Sequence, residues 1–215
     1  MSVELISNYG SDNMIANVAR VSYGKDSSNY TEEQNEKLIN YLVNHKHTSP
    51  FRHPQLQFRV KCPIYVERQL HKHQVGISVN SISGRYVDFS DSYYRIEQFR
   101  EQSKDSKQGS GENLKDVLNK EAIRIQNMVI NQCSQAYDAL LNLGVSKEQA
   151  RSVLPLSLET EFIWTGSLLA FFHMCSLRLK EDTQKETRDV VSSMLELVKN
   201  IDGNPFEHTI KAFKL

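Results

Sequence analysis

Cysteine is scarce in this chain: there are three in 215 residues, Cys62, Cys133 and Cys175, and no C-x-x-C spacing links them. An odd, widely spaced set excludes a disulfide framework and a zinc-ligand motif, and it points to a reducing compartment. A surplus of charge of either sign is also missing, since 26 Lys and Arg face 26 Asp and Glu. Nucleic-acid backbones are gripped by excess Lys and Arg, so no nucleic-acid partner is expected. A neutral total still leaves room for a local basic pocket that takes one phosphate. Long apolar runs are absent too. The longest, Leu168-Leu-Ala-Phe-Phe172, falls far short of the ~20 residues of a membrane span, so no membrane is expected as a partner. The opening Met1-Ser-Val-Glu-Leu-Ile-Ser-Asn has no basic stretch leading into an apolar one. No export signal is therefore expected, and the expected location is cytoplasmic.

What is present reads as one soluble domain spanning 1–215, with 39 % hydrophobic and 24 % charged residues. Thr31-Glu-Glu-Gln34 is a capping box, and Leu38, Ile39, Tyr41 and Leu42 follow at helical spacing, which predicts a helix to about His45. Leu56, Phe58 and Val60 alternate with polar residues across 55–61, the mark of a half-buried strand. Pro63 suits the start of a helix running to about Lys72. Residues 76–86 are rich in Ser, Gly and Asn without a helical or strand period, and predict an ordered loop. The low-complexity stretch 101–112 predicts a mobile loop. A long helix is expected over 112–143, with Val117, Ile125, Val129, Cys133, Ala136 and Leu140 on its stripe and Gly144 at its end. A short helix capped by Ser146 follows, then a second alternating strand over 156–164 and helices over 167–180 and 183–201. The fold expected is α/β (α+β), with a small sheet flanked by long helices.

Chemistry concentrates between Ser49 and Tyr86. Gln69, His71, Lys72 and His73 end a helix, and Ser78, Asn80, Ser81, Ser83 and Arg85 fill the loop after it. Such a mixture of cations, hydroxyls and free amides suits a phosphate, and it equally suits a solvated surface loop. His71 and His73 lie two apart and face opposite ways on a helix, so no metal site is expected. Arg151 and Arg178 form a second concentration; Arg178 continues the apolar face of Leu169, Phe172 and Cys175, either snorkelling to solvent or aimed into a polar cavity. Glu159 and Glu161 share a strand face that reads as solvated rather than as a catalytic pair. No cysteine has an activating partner nearby in the sequence.

Several segments in order resemble the flavin-dependent thymidylate synthase family: Ala19-Arg-Val-Ser22, Thr48-Ser-Pro-Phe-Arg-His53, Pro63-Ile-Tyr-Val-Glu-Arg-Gln69, Ser78-Val-Asn-Ser-Ile-Ser-Gly-Arg-Tyr86, Ala150-Arg-Ser-Val-Leu-Pro-Leu156, Phe162-Ile-Trp-Thr165, Leu177-Arg178 and Gln184-Lys-Glu186. The resemblance implies the family's thymidylate synthase-complementing fold with a mostly antiparallel sheet. It also implies a homotetramer with shared active sites, bound FAD, and methylation of dUMP to dTMP with methylenetetrahydrofolate as carbon donor and NADPH as reductant. It implies Arg178 as the catalytic group that stabilises charge developing on the uracil ring. Gln69, Lys72, Ser81, Ser83, Gly84, Arg85 and Arg151 fall on dUMP-binding positions, with Arg151 reaching in from another subunit. Ser49, His53, Lys72, His73, Gln74, Ser81, Ser167 and His173 fall on FAD-binding positions.

The sequence departs from the family mainly on the flavin side. Lys72-His73-Gln74 stands where the family has Arg-His-Arg, with one extra residue before Ser78. Ser81 stands where the family often has Glu, Ser167-Leu168-Leu169 where it has Asn-x-Arg, and His173 where it has a later Asn. A diverged enzyme acting on C5 of another pyrimidine nucleotide, and a nucleotide-binding relative without flavin, are the alternatives these departures raise.

Overall fold

The computed structural model describes residues 1–24, 30–87, 92–104 and 109–215. Its centre is a four-stranded antiparallel sheet in the order β1-β2-β6-β3, made of β1 (Ser2–Tyr9), β2 (Gln55–Pro63), β6 (Glu159–Ser167) and β3 (Ile77–Ser81). The alternation in β2 and β6 does what a period of two requires. Leu56, Phe58, Val60 and Cys62 point to the buried face, as do Phe162 and Trp164 from β6. Phe58 stands opposite Trp164 in the register, and Val60 opposite Phe162. Phe171, from α6 (Leu168–Arg178), stacks edge-on against both Phe58 and Trp164. The other face carries Arg59, paired with Glu4 and Glu161, and Lys61, paired with Glu159. Glu159 and Glu161 are thus ion-pair partners on the outer face of the sheet.

Helices cover the buried face. The Thr31 box holds with both of its hydrogen bonds and starts α2 (Glu32–Asn44). Pro63 caps α3 (Ile64–Leu70), which runs directly out of β2. α6 leaves β6 with Ser167 as N-cap, its Oγ accepting from the Ala170 N–H. α7 (Lys185–Lys199) buries Val190, Val191, Met194, Leu195 and Val198 against the core. Two helices carry no sequence-level expectation: α1 (Asp12–Arg20) and α8 (Glu207–Phe213). Asp12 joins them, accepting from the backbone of His208 at 2.7 Å and from the Thr209 hydroxyl at 2.5 Å.

The structure corrects four expectations. Residues 77–81 are a strand, not a loop. β3 is an edge strand whose residues are almost all exposed, so no burial alternation marks it. The stretch 101–112 carries parts of a two-stranded hairpin, β4 (Arg100–Gln102) with β5 (Ser110–Asn113); the expectation of a mobile loop at 105–108 falls outside the described residues. β6 begins at Glu159, leaving Leu156 exposed before it. The long helix α4 (Asp116–Asn142) starts after β5, and its predicted stripe is not core: Val117, Ile125 and Val129 are exposed, while Ile130 and Tyr137 are buried instead. A surface stripe of that kind satisfies the same period as a core stripe, so periodicity alone could not separate them. Ser146 precedes α5 (Lys147–Ala150) without a side-chain cap bond. Among the described residues, no helix is long and apolar enough to cross a membrane.

Candidate functional site

Three helices meet where α3 ends. α3 follows β2 after Pro63 and α6 follows β6 after Ser167, at opposite ends of the antiparallel pair; both helices pack on α7, and their C-terminal ends come together. Here Arg178, the last residue of α6, turns back to α3 and the residues after it. Its Nε–H donates to His73 Nε2 at 2.9 Å and its Nη2 donates to the Gln69 carbonyl at 3.4 Å. Arg178 is half-buried, and its guanidinium is turned onto α3 and the residues after it.

His73 has to be neutral to accept that bond. Burial, the adjacent Arg178 charge and His173 together push its pKa down to about 4, so neutral imidazole is the form at physiological pH. His173 lies on the exposed side of α6, five residues before Arg178. His71 turns the other way. Its ring lies edge-on to Phe162, 4.7 Å between centroids, with Nδ1 3.5 Å from Glu67. The two histidines therefore diverge even though α3 has already ended.

Gln69 is held by its side chain as well as its carbonyl. Its Oε1 accepts from the Thr187 hydroxyl at 3.0 Å and its Nε2 donates to Gln184. Gln184 donates to Glu186 Oε2 at 3.0 Å, and Arg100 donates to Glu186 Oε1 at 2.6 Å. Burial works against the Glu186 charge, but the hydrogen bonds from Arg100 and Gln184 outweigh it and hold the carboxyl below the usual range. Arg100 and Thr187 lie outside the segments that carry the family resemblance, whereas Gln184 and Glu186 belong to one of them without an expected role. A weak signal existed: Thr187 continues the apolar stripe of Val190, Val191 and Met194, where a hydroxyl needs a partner.

The remaining candidates divide. Ser81, at the end of β3, reaches Glu67 of α3 at 3.4 Å, which brings the loop after β3 to the α3 side of the sheet. In that loop Ser83 is half-buried, Gly84 is buried, and the exposed Arg85 donates from Nε to Ser83 Oγ at 3.2 Å. Lys72 and Gln74 are exposed on either side of His73. Ser167 is committed to capping α6, and its N–H donates to the Gly76 carbonyl at 3.1 Å. Ser49 and His53 are exposed around a short 3-10 turn between α1 and α6. Arg151 is exposed on the turn after α5 and donates to the Glu148 carbonyl at 3.3 Å; among the described residues no bond joins it to Arg178.

Two of the three thiols are poorly suited to act as nucleophiles. Burial is the main reason that both Cys62 and Cys175 are pushed up to about 12, which leaves almost no thiolate at neutral pH.

Comparison with known proteins matches residues 4–202 to the family model described as thymidylate synthase complementing protein. The chain is 43 % identical over 197 residues to the flavin-dependent thymidylate synthase of Thermus thermophilus, covering 92 % of this chain and 71 % of that one. It is 39 % identical over 198 residues to the flavin-dependent thymidylate synthase of Kosmotoga olearia, covering 92 % and 85 %. Among solved structures it superposes with a TM-score of 0.84 on the UMP/dUMP methylase PolB from Streptomyces cacaoi bound with 5-Br dUMP, at 27 % identity over 99 % of this chain and 94 % of that one.

Proposed function

The chain belongs to the flavin-dependent thymidylate synthase family, and on that footing we propose that it methylates C5 of dUMP to give dTMP. The carbon comes from the methylene of methylenetetrahydrofolate, and NADPH is the reductant. FAD, when bound and reduced by NADPH, would supply the hydride that completes the methyl group, the C5 proton being lost to solvent.

In this reading C5 of uracil becomes nucleophilic only as the ring gains electron density. A fixed guanidinium stabilises that charge where it develops, without a protein nucleophile. Arg178 fills the part. It is held at Nε by neutral His73 and at Nη2 by the Gln69 carbonyl, which leaves its other N–H groups for a ligand. That doubly held Arg178 is the observation that carries the proposal. The two high thiol pKa values support it, because they disfavour a thiolate route. Ser83, Gly84 and Arg85 offer a hydroxyl, a backbone amide and a cation to the nucleotide phosphate, with Lys72 and Ser81 beside them. Arg151 joins them from a second subunit of a homotetramer. The apolar surface of α4, with Val117, Ile125 and Val129 exposed, supports such an assembly.

The residues also suit a flavin. Neutral His73, whose Nδ1–H is left to donate, and His173 offer polar contacts fit for a carbonyl-rich ring, with Gln74 and Ser49 as further contacts. His53, Lys72, Ser81 and Ser167 complete the FAD set. Residues 1–215 act as one domain in this reading, in a cytoplasmic enzyme with no nucleic-acid or membrane partner.

Tritium release from dUMP labelled at C5, assayed with and without methylenetetrahydrofolate and with FAD and NADPH present, tests the proposal. Folate-dependent release supports it. Release from labelled UMP at a higher rate would move the reading to a diverged pyrimidine-nucleotide methylase, which the likeness to a UMP/dUMP methylase favours as the second reading. Nucleotide binding without any flavin uptake would make the chain a non-catalytic relative.

A further inference from the structure

Gln69 lies at the end of a hydrogen-bond chain whose direction is set at its far end. Glu186 is ionised and can only accept. It takes Arg100 Nη2 on one oxygen and Gln184 Nε2 on the other. Gln184 therefore turns its Oε1 to Gln69, which must answer with Nε2. Gln69 Oε1 is then left facing Thr187, whose hydroxyl donates to it at 3.0 Å. Flipping Gln69 alone would set its carbonyl oxygen against that of Gln184. Flipping Gln184 as well would aim a carbonyl at the carboxylate. The carboxylate thus propagates one orientation through two amides.

The far end is itself anchored. Arg100 also donates from Nε to Ser110 Oγ at 2.6 Å across the β4–β5 hairpin. Asn119 of α4, almost fully buried, clamps the approach to that hairpin: its Nδ2 donates to the Glu97 carbonyl at 2.9 Å, and its Oδ1 accepts from the Phe99 N–H at 2.8 Å. A swing of Arg100 away from Glu186 would therefore cost the packing of this segment.

One Gln69 amide hydrogen has no acceptor among the described residues, and the neighbouring Arg178 guanidinium offers only donors. We propose that Glu186 and Gln184 are positioning residues that lock Gln69 as a donor, so that this corner of the proposed nucleotide site accepts the carbonyl-bearing edge of uracil and rejects the amine of cytosine. The inference rests on the nucleotide site proposed above, and deepens it by assigning the base discrimination to residues that do not touch the base. A cytosine amine would place donor against donor, and a site built for one pattern rejects the other steeply.

The test measures dUMP and dCMP binding by calorimetry in the intact FAD-loaded protein and in two variants, Glu186→Gln and Gln184→Met, with circular dichroism and melting temperature recorded for each. Wild type should favour dUMP strongly. Glu186→Gln keeps the size of the side chain but makes its direction reversible, and Gln184→Met breaks the chain while filling the space. Both should lower the dUMP-to-dCMP affinity ratio by about tenfold or more, by weakening dUMP and relieving dCMP. A folded Glu186→Gln protein with the wild-type ratio overturns the inference, as does an equal loss for both nucleotides in both variants, which marks a structural role. If wild type binds neither nucleotide, the proposed site falls and takes this inference with it; if it binds both equally, only the inference falls.

Discussion

Arg178 Nε lies 2.9 Å from His73 Nε2, and the bond exists only while His73 is neutral. The same guanidinium helps to keep it neutral, since its charge, after burial, is the next largest influence pushing the imidazole pKa down to about 4. Donor and acceptor thus stabilise the arrangement in which they meet.

This pairing gives a pH prediction. His73 ordinarily titrates at 6.5 and in the folded protein at about 4, so the unfolded chain binds more protons between those values. Its contribution to stability is complete above about pH 6.5 and lost as pH falls toward 4. Melting temperature measured from pH 7.5 to 4.5 should fall more in wild type than in His73→Gln, which retains a neutral side chain. Equal slopes would place the titration elsewhere.

Arg178→Ala should leave the fold and flavin absorbance intact while lowering turnover by roughly 10²–10³-fold, the cost of removing a preorganised charge stabiliser. Arg178→Lys should recover little, because an ammonium cannot serve His73 and the Gln69 carbonyl as a planar fork does. Single-turnover rates alongside the flavin spectrum check this; near-normal turnover would remove Arg178 from the chemistry.

The flavin-side departures predict a gain. Gln74 is exposed beside His73, so Gln74→Arg should tighten FAD binding, read by fluorescence titration, by a few-fold, as one added charge-assisted contact allows. Unchanged affinity would mean that the extra residue before Ser78 carries this position away from the cofactor.

Iodoacetamide at pH 8 should leave Cys62 and Cys175 unmodified in the folded protein and should not abolish turnover. Both thiols are buried and titrate at about 12. Peptide mapping of the alkylated protein distinguishes them from Cys133, which is only half-buried.

Gly166 is the point where the edge strand meets the centre of the sheet. A Cβ there would stand 2.7 Å from the Gly76 carbonyl and 2.8 Å from Ile77 Cγ1. Gly166→Ala should cost about 1–3 kcal/mol of stability, as overpacking does, and displace β3 with the loop that carries Ser83 and Arg85. Denaturant melts and weakened nucleotide binding together check it.

The sequence by itself determined what depends on local pattern. The strict alternation of β2 and β6 and the Thr31 capping box follow from periods and hydrogen bonds within a few residues of chain, and the structure keeps them. The family could also be named from short motifs, Gln69 and Ser83-Gly-Arg85 among them. Two things lay beyond local pattern. β3 has no buried face to alternate, and the apolar stripe of α4 looks the same whether it meets a core or lies on the surface. Only the tertiary structure decided which residues meet. His73 and Arg178 are 105 residues apart, and Gln69 and Gln184 are 115 apart. They touch because α3 and α6, which leave the paired strands β2 and β6 at opposite ends, both pack on α7 and bring their C-terminal ends together. Composition showed no excess of charge, yet the fold brings Arg178, Arg100 and Glu186 into one connected network, in which burial makes each hydrogen bond matter.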